Sequence, residues 1–274
     1  MIEYLNKYLI FYINTNFFVA LAVLCLHLSS EILLGSNNYE VSIFIFFATI
    51  LTYNFQRLVI IQKGIDNKKS SWIRKNKKII YFLSILSLII TFFLFLNFKF
   101  QTQIVIIFCG IISFLYPFLL RSIPYLKIFI ISIVWTLISL TLLVIENELF
   151  IDQNIYYLHM SRFCFVFAIT IPFDIRDILI DFKNIKTIPV VFGEKRSKYI
   201  SAIFLFLNQL ILLKLYLLKF ISDEMFYGTI ILLCFTTVLI MQSKSNRKDI
   251  YFSFGVESTS VLMYIILFFS SCIV

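Results

Sequence analysis

Nine long apolar runs divide this chain. They cover about residues 8–28, 41–61, 79–98, 102–120, 125–145, 156–173, 198–219, 224–242 and 251–273. Each run is close to the roughly 20 residues that an apolar helix needs to cross the bilayer core. Backbone polar groups in lipid must be satisfied within the segment, and the alternating pattern of barrel strands does not occur in this sequence. The pattern therefore predicts an all-α, polytopic bundle of about nine transmembrane helices, with one domain over residues 1–274.

The composition supports the same interpretation. Hydrophobic residues make up 61% of the chain and charged residues 14%, whereas soluble domains have about 45–50% and about 25%. A soluble fold cannot bury that much apolar surface, so the excess is expected to face lipid. The first run lacks a clear small-x-small cleavage site, which favours a retained helix over a signal peptide.

The basic residues between the runs predict the orientation. If the N-terminus is cytoplasmic, 19 of the 24 Lys and Arg residues lie in inside segments and 3 in outside segments. Cytoplasmic loops carry such an excess, so we expect the N-terminus inside, the C-terminus outside and a location in the cell's inner (plasma) membrane. The net charge of +9 thus mainly reflects the membrane topology. Its second expected effect is to attract anionic lipid headgroups or a diphosphate. Nucleic-acid binding is not expected, because the bases flank membrane helices.

The richest polar segment follows the sixth run and reads DIRDILIDFKNIKTIPVVFG from residue 174. Asp174, Asp177 and Asp181 share one face if the segment is helical. Three carboxylates so close repel one another unless a cation lies among them, and Mg²⁺ commonly bridges carboxylates to substrate phosphates. The alternative is a solvated loop with internal salt bridges. The bases that could hold further phosphate oxygens are Arg176, Lys183 and Lys186.

The pattern D-x-x-D-x-x-x-D followed by K-T-I-P-V-V-F-G resembles the second Asp-rich motif of the UbiA-type intramembrane prenyltransferases. This resemblance implies a UbiA-like fold of nine helices with the motif after helix 6 on the cytoplasmic side. It also implies that Asp174, Asp177 and Asp181 bind Mg²⁺, and that a prenyl diphosphate donates its prenyl group to a hydrophobic acceptor, often an aromatic ring.

The stretch YPFLLRSIPYLK at residues 116–127 resembles the family's Tyr-plus-basic segment between helices 4 and 5. The resemblance implies that Tyr116 lies near the prenyl carbocation and that Arg121 or Lys127 lies near the diphosphate. The alternative for these residues is an interfacial aromatic anchor with positive-inside charges.

The first Asp-rich motif of the family, N-x-x-x-D-x-x-x-D after helix 2, is altered. Asn54 is present, but Leu58 and Gln62 stand where the two carboxylates are expected. Arg57 lies about one turn inside the predicted helix end, where an ionisable group is a functional candidate. We expect Asn54 and Arg57 to bind diphosphate, with Arg57 partly replacing one metal ion. The alternative for Arg57 is that it snorkels to the interface.

Arg162 and Glu257 also lie within the runs. Arg162 is expected to snorkel toward the outer interface. Glu257 is expected either to line the same cavity or to reach the cytoplasmic interface.

Two hypotheses about function follow. The first is an enzyme that transfers a prenyl group with Mg²⁺. The second is a non-catalytic membrane protein of the same fold that binds prenyl diphosphate or another lipid, which the two missing carboxylates suggest because metal ions supply several kcal/mol of charge stabilisation.

Overall fold

The computed structural model describes residues 2–62, 64, 68–182 and 185–273, and across these ranges the regular structure is entirely helical. The α-helices are α1 (Ile2–Asn14), α2 (Phe17–Leu34), α3 (Tyr39–Gln62), α4 (Lys68–Lys75), α5 (Lys77–Asn97), α6 (Phe100–Leu115), α7 (Leu126–Thr136), α8 (Leu142–Glu146), α9 (Gln153–Arg176), α10 (Ile178–Asp181), α11 (Ile188–Leu217), α12 (Asp223–Gln242) and α13 (Ser258–Ile273). A π-helical segment, Leu137–Thr141, joins α7 to α8, and a second, Tyr251–Val256, leads toward α13.

Eight helical segments are long and apolar enough to cross a membrane. They are α2, α3, α5, the joined segment Leu126–Glu146, α9, α11, α12 and the segment Tyr251–Ile273. A ninth apolar helix, α6, has 16 residues. The predicted all-α bundle of about nine membrane helices is therefore confirmed.

The helix α9 occupies the centre of the bundle. In its apolar stretch 78% of the residues are buried, against 17% in α5, so α5 presents most of its surface outward to lipid. The largest core cluster joins α9 to α2, α11, α12 and α13, with Phe165 and Val166 packed against Leu26 and Leu267. Polar side chains in the buried stretch of α9, among them Arg162 and Asp174, are consequently enclosed by protein.

The predicted first helix, residues 8–28, is wrong in its boundaries. The chain forms α1, breaks at Thr15 and Asn16, and begins the spanning helix α2 at Phe17. Asn16 adopts the left-handed conformation with φ of 65°, which asparagine tolerates better than most residues. Three consecutive polar residues, which begin at Asn14, interrupt the apolar run at this point.

Two of the segments between the predicted runs contain helix. The segment 62–78 includes α4, and the segment 174–197 includes the end of α9, α10 and the first turns of α11. Pro189 lies in the first turn of α11, where its missing N–H costs no hydrogen bond. Gly193 bends the same helix with φ of 79° and ψ of 163°, a conformation that requires glycine.

The bundle has two polar ends. At the end that we call the far end, the amide of Asn38 donates to Asn147 at 2.8 Å and Lys99 pairs with Glu148 at 2.8 Å. The opposite end, which we call the site end, is where α3, α6 and α9 finish. Most of the charged residues singled out from the sequence lie at the site end.

Candidate functional site

A cavity of about 560 Å³ lies at the site end, between α3, α7, α9 and the π-helical segment Tyr251–Val256. Its lining is unusually rich in charge for a membrane bundle. The charged residues that line it are Arg57, Arg121, Lys127, Asp174, Arg176, Asp177, Arg247, Asp249 and Glu257. Charged groups inside a membrane protein usually face one another across a functional cavity, and this cavity is accordingly the candidate site.

Lys127 lies at the centre of the three aspartates. Its Nζ is 2.7 Å from Asp174 Oδ1, 3.3 Å from Asp181 Oδ2 and 4.0 Å from Asp177 Oδ2. Asp174 and Asp181 are each 1% exposed, so their charges depend on this ammonium group for compensation. The three carboxylates converge as the sequence predicts, but around a lysine from α7.

The remaining cations complete the pairing. Arg176 holds both oxygens of Asp177, with Nε 2.8 Å from Oδ1 and Nη2 3.0 Å from Oδ2. Burial would raise the pKa of the Asp177 carboxyl, but the Arg176 guanidinium lowers that pKa to about 2. Arg121 Nη2 lies 3.5 Å from Asp181 Oδ1. Three carboxylates thus face three cations, and the cluster is neutral overall.

The cluster offers oxygen ligands of the kind that Mg²⁺ takes. Asp174 Oδ1 and Asp181 Oδ1 are buried and accept no well-directed hydrogen bond, although each faces a cation. No group of three His, Cys, Asp or Glu residues forms a complete metal site in the part of the chain that the structure describes. Mg²⁺ commonly uses one or two carboxylates together with waters and substrate phosphates. Asp174 Oδ1 and Asp181 Oδ1 fit that requirement, whereas Arg176 donates a hydrogen bond to each of the two oxygens of Asp177.

Tyr116 lines the boundary between this cavity and a smaller one. The second cavity, of about 150 Å³, has no charged residue in its lining, and its apolar walls include Val134 of α7 and Ile138 of the π-helical segment. It shares Tyr53, Gln56, Tyr116, Ile131 and Trp135 with the first. Burial raises the pKa of the Tyr116 phenol, so this side chain is neutral at physiological pH. A charged chamber and a largely apolar chamber therefore meet along a wall that includes three aromatic side chains, Tyr53, Tyr116 and Trp135.

Near the end of α3, the side chain of Arg57 lines the cavity and the side chain of Asn54 does not. Arg57 lines the cavity, and its Nη1 donates to the carbonyl oxygen of Asn14 at 3.2 Å. Asn54 is fully buried and accepts a hydrogen bond from the Asn16 amide at 2.7 Å. In this arrangement Asn54 joins α3 to the break between α1 and α2 and does not line the cavity.

Lys186 also lies outside the cavity. Its side chain is exposed, and its backbone oxygen accepts a hydrogen bond from the Tyr125 N–H at 3.0 Å. That bond ties the start of α11 to the turn before α7. Lys183, the other base of this segment, lies outside the described residues.

Several lining residues were not singled out from the sequence. They are Trp135, Arg247 and Asp249, together with Tyr53 and Gln56 of the polar segment that ends α3. Polar and aromatic side chains in the last turns of a spanning helix are the signal that could have identified Tyr53 and Gln56. Glu257, for which the sequence left two alternatives, lines the cavity.

Comparison with known families identifies the family of the chain. The model of the UbiA prenyltransferase family matches residues 74–269, which include Asp174, Asp177 and Asp181 but begin after α3. The family resemblance read from the motifs is thereby confirmed. No curated protein sequence matches the chain.

Solved structures share the fold over nearly the whole chain. A UbiA homologue from Archaeoglobus fulgidus bound to GPP and Mg²⁺ has a TM-score of 0.65 at 14% identity, covering 95% of this chain and 99% of its own. A digeranylgeranylglyceryl phosphate synthase has a TM-score of 0.64 at 14% identity, with coverage of 98% and 100%. The apo structure of a UbiA homologue from Aeropyrum pernix K1 has a TM-score of 0.65 at 11% identity, with coverage of 92% and 97%. At these identities the likeness concerns the fold.

Proposed function

This chain belongs to the UbiA prenyltransferase family, and from that premise we propose that it transfers a prenyl group from a prenyl diphosphate to a hydrophobic acceptor within the membrane. Aromatic rings are one class of acceptor that suits the proposal. The observation that carries it is the junction of a charged cavity with an apolar cavity at Tyr116. The A. fulgidus homologue of the same fold binds GPP and Mg²⁺, which supports a donor of this chemical class.

The charged cavity suits the diphosphate. Arg57, Arg121, Lys127 and Arg176 all line it, and guanidinium groups bind phosphate oxygens through paired hydrogen bonds. Asp174 and Asp181 are the residues that would hold Mg²⁺, and a bound Mg²⁺ acts as a Lewis acid that stabilises charge on the departing diphosphate. Asp177 keeps Arg176 in place beside that position.

The apolar cavity suits the prenyl chain. Its walls, among them Val134 and Ile138, offer no charge to a hydrocarbon tail. In the transfer, the C–O bond breaks with both electrons going to the diphosphate oxygen. The positive carbon then accepts an electron pair from the acceptor, which loses a proton. Tyr116 lies at the boundary of the two cavities, where its ring can stabilise a positive carbon through the negative face of its π-system.

A second candidate function is binding of prenyl diphosphate without transfer. Leu58 and Gln62 replace the carboxylates of the first Asp-rich motif, so α3 supplies Arg57 in place of a second set of metal ligands. A fixed guanidinium can bind a diphosphate in the ground state. Catalysis additionally requires interactions that become stronger in the transition state.

One experiment separates the two functions. Purified protein is incubated with prenyl diphosphates of several chain lengths, with Mg²⁺ or with EDTA, and both released diphosphate and bound lipid are measured. A transferase releases diphosphate only with Mg²⁺, and Asp174→Ala lowers this release by about 100-fold or more. Glu40→Gln, at an exposed position in the first turn of α3, is the matched control and keeps full activity.

Two other outcomes of this experiment would contradict part of the proposal. Saturable binding without diphosphate release supports the non-catalytic function. If Asp174→Ala still turns over donors of every length as fast as the unchanged protein, the assignment of the metal site is wrong.

We also propose that the site end is cytoplasmic, with the C-terminus outside the cell's inner membrane. The basic residues of the sequence concentrate at this end, and such an excess marks cytoplasmic loops. A reporter that fluoresces only in the cytoplasm should be dark when it is fused to the C-terminus.

A further inference from the structure

Arg162 lies deep inside the bundle. It is 5% exposed and follows the start of α9 by nine residues, or about 13 Å of helix. The expectation that it snorkels to the interface is wrong, because its Nη2 donates to Ser29 Oγ at 2.8 Å and to Ser30 Oγ at 2.9 Å. These two serines belong to α2, so the guanidinium is directed across the bundle to a neighbouring helix.

The neighbours of Arg162 do not neutralise its charge. The hydroxyl of Ser29 donates to the carbonyl of Leu26 at 2.6 Å, and that of Ser30 donates to the same carbonyl at 3.1 Å. Both hydroxyls therefore offer only neutral lone pairs to the guanidinium. The other contact is from Nη1 to the sulfur of Met263 at 3.7 Å. Among the described residues no carboxylate lies within 4.0 Å of this arginine.

The acid on the nearby stretch of α2 is otherwise engaged. Glu31 Oε1 lies 3.3 Å from His27 Nε2 and accepts hydrogen bonds from the backbone N–H of Asn38 and from Ser42. A buried charge without a partner is costly. The structure thus leaves one full positive charge uncompensated in the interior.

A small cavity adjoins the guanidinium. Its volume is about 20 Å³, and its walls are mainly apolar side chains, including those of Leu158, Phe165 and Leu212. Asn208 supplies a second polar group to the lining. Its Oδ1 accepts a hydrogen bond from Ser161 at 2.7 Å, so its Nδ2 remains as a donor. A charged donor and a neutral donor thus line the same chamber.

We propose that this chamber binds a small monovalent anion, of which chloride is the natural example. One water needs about 10–15 Å³, so a chamber of about 20 Å³ has room for one ligand of about that size, such as a single monatomic ion, and none for a lipid headgroup with its acyl chains. Arg162 supplies the compensating charge, and Asn208 supplies a further hydrogen bond. A water molecule would fill the space but would leave the charge of Arg162 unpaired.

Thermal unfolding of the purified protein in detergent tests the proposal. The melting temperature is measured while sodium chloride replaces sodium gluconate at constant ionic strength. We expect a saturable rise with chloride in the unchanged protein, and no rise in Arg162→Met. Arg196→Met is the matched control, since Arg196 is an exposed arginine of α11, and it should keep the full chloride response. An unchanged protein without a chloride response, or an equal response in Arg162→Met, overturns the proposal.

A second variant keeps the test valid if Arg162→Met does not fold. Asn208→Leu removes the neutral donor, together with the acceptor of the Ser161 hydroxyl, but keeps the charge of Arg162, and we expect the chloride concentration at half-maximal stabilisation to rise about tenfold. If the chloride concentration at half-maximal stabilisation is the same in Asn208→Leu as in the unchanged protein, the proposed site is wrong.

Crystals grown in sodium bromide give a direct readout. Anomalous scattering from bromide between Arg162 and Asn208 supports the site. Bromide peaks only at the protein surface show that the chamber holds water and overturn the proposal.

Discussion

Lys127 and Arg162 are both buried cations in the interior of the bundle, yet the side chains that surround them differ in charge. Lys127 Nζ has three carboxylates within 4.0 Å. Arg162 meets two hydroxyls and a thioether. Asp174, the closest partner of Lys127, and Arg162 both belong to α9 and are separated by twelve residues, or about 18 Å. One helix therefore contributes to a compensated cluster at the site end and to an uncompensated charge deeper in the bundle.

This difference shows what each region is ready to accept. In the neutral cluster of three acids and three cations, an arriving metal ion can pair with the acids and an arriving diphosphate can pair with the cations. An isolated guanidinium can accept only negative charge. The energetic signatures also differ, since breaking a buried ion pair costs far more than removing a charge that had no partner.

The largest effect is expected from Lys127→Met. The substitution leaves Asp174 and Asp181 buried beside each other without their shared cation, and such a change costs about 3–5 kcal/mol. Thermal unfolding in detergent measures the loss. Lys195→Met, at an exposed position of α11, should be neutral. The double variant Lys127→Met with Asp174→Asn should recover part of the loss, and a double variant that is less stable than the single one contradicts this account of the cluster.

A smaller effect is expected from Asp177→Asn, and it depends on pH. Because Arg176 lowers the pKa of Asp177 to about 2, below the ordinary carboxyl value near 4, the ionised form stabilises the fold. The contribution, on the order of 2 kcal/mol, is complete above about pH 4 and is lost as the pH falls through about 2. The stability difference between the unchanged protein and Asp177→Asn should thus be constant from pH 7 to pH 5 and shrink toward pH 2. A difference that does not change with pH contradicts the assignment.

The smallest loss is expected from Arg162→Met in chloride-free buffer. Because a buried charge that no carboxylate compensates destabilises the fold, replacing it with an apolar side chain should not lower the free energy of unfolding and should raise it by about 1 kcal/mol or more. Melting curves in gluconate measure this. A loss as large as that of Lys127→Met would show that Arg162 has a compensating partner within the protein.

The length of the apolar runs predicted the membrane helices well, because a spanning helix needs a long apolar segment. The break at Asn16 was missed, since three polar residues within an apolar run do not reveal whether a helix bends or stops. The contact of Asn16 with Asn54 at 2.7 Å is between helices. No local pattern in the sequence reports such a contact.

The site was predicted in part. Asp174, Asp177 and Asp181 converge because their spacing places them on one side of a helical segment, which a sequence can show. The position of Lys127 among them depends on how α7 packs against α9, and the sequence alone does not show this packing. The orientation of α3 about its axis decided that Arg57 lines the cavity and that Asn54 does not, and hydropathy gives no information on that rotation. Arg162 was expected at the interface because its burial depends on serines contributed by α2.

The π-helical segment Leu137–Thr141 changes the helical register between α7 and α8. On the site-end side of the segment, Lys127 and Trp135 line the charged cavity; within it, Leu140 lines the chamber beside Arg162. A regular α-helix turns by about 100° per residue, so deleting one residue here would rotate the two halves relative to each other by about that angle. The length of this one wide turn thus sets which residues of a single membrane span face each of two chambers of different chemistry.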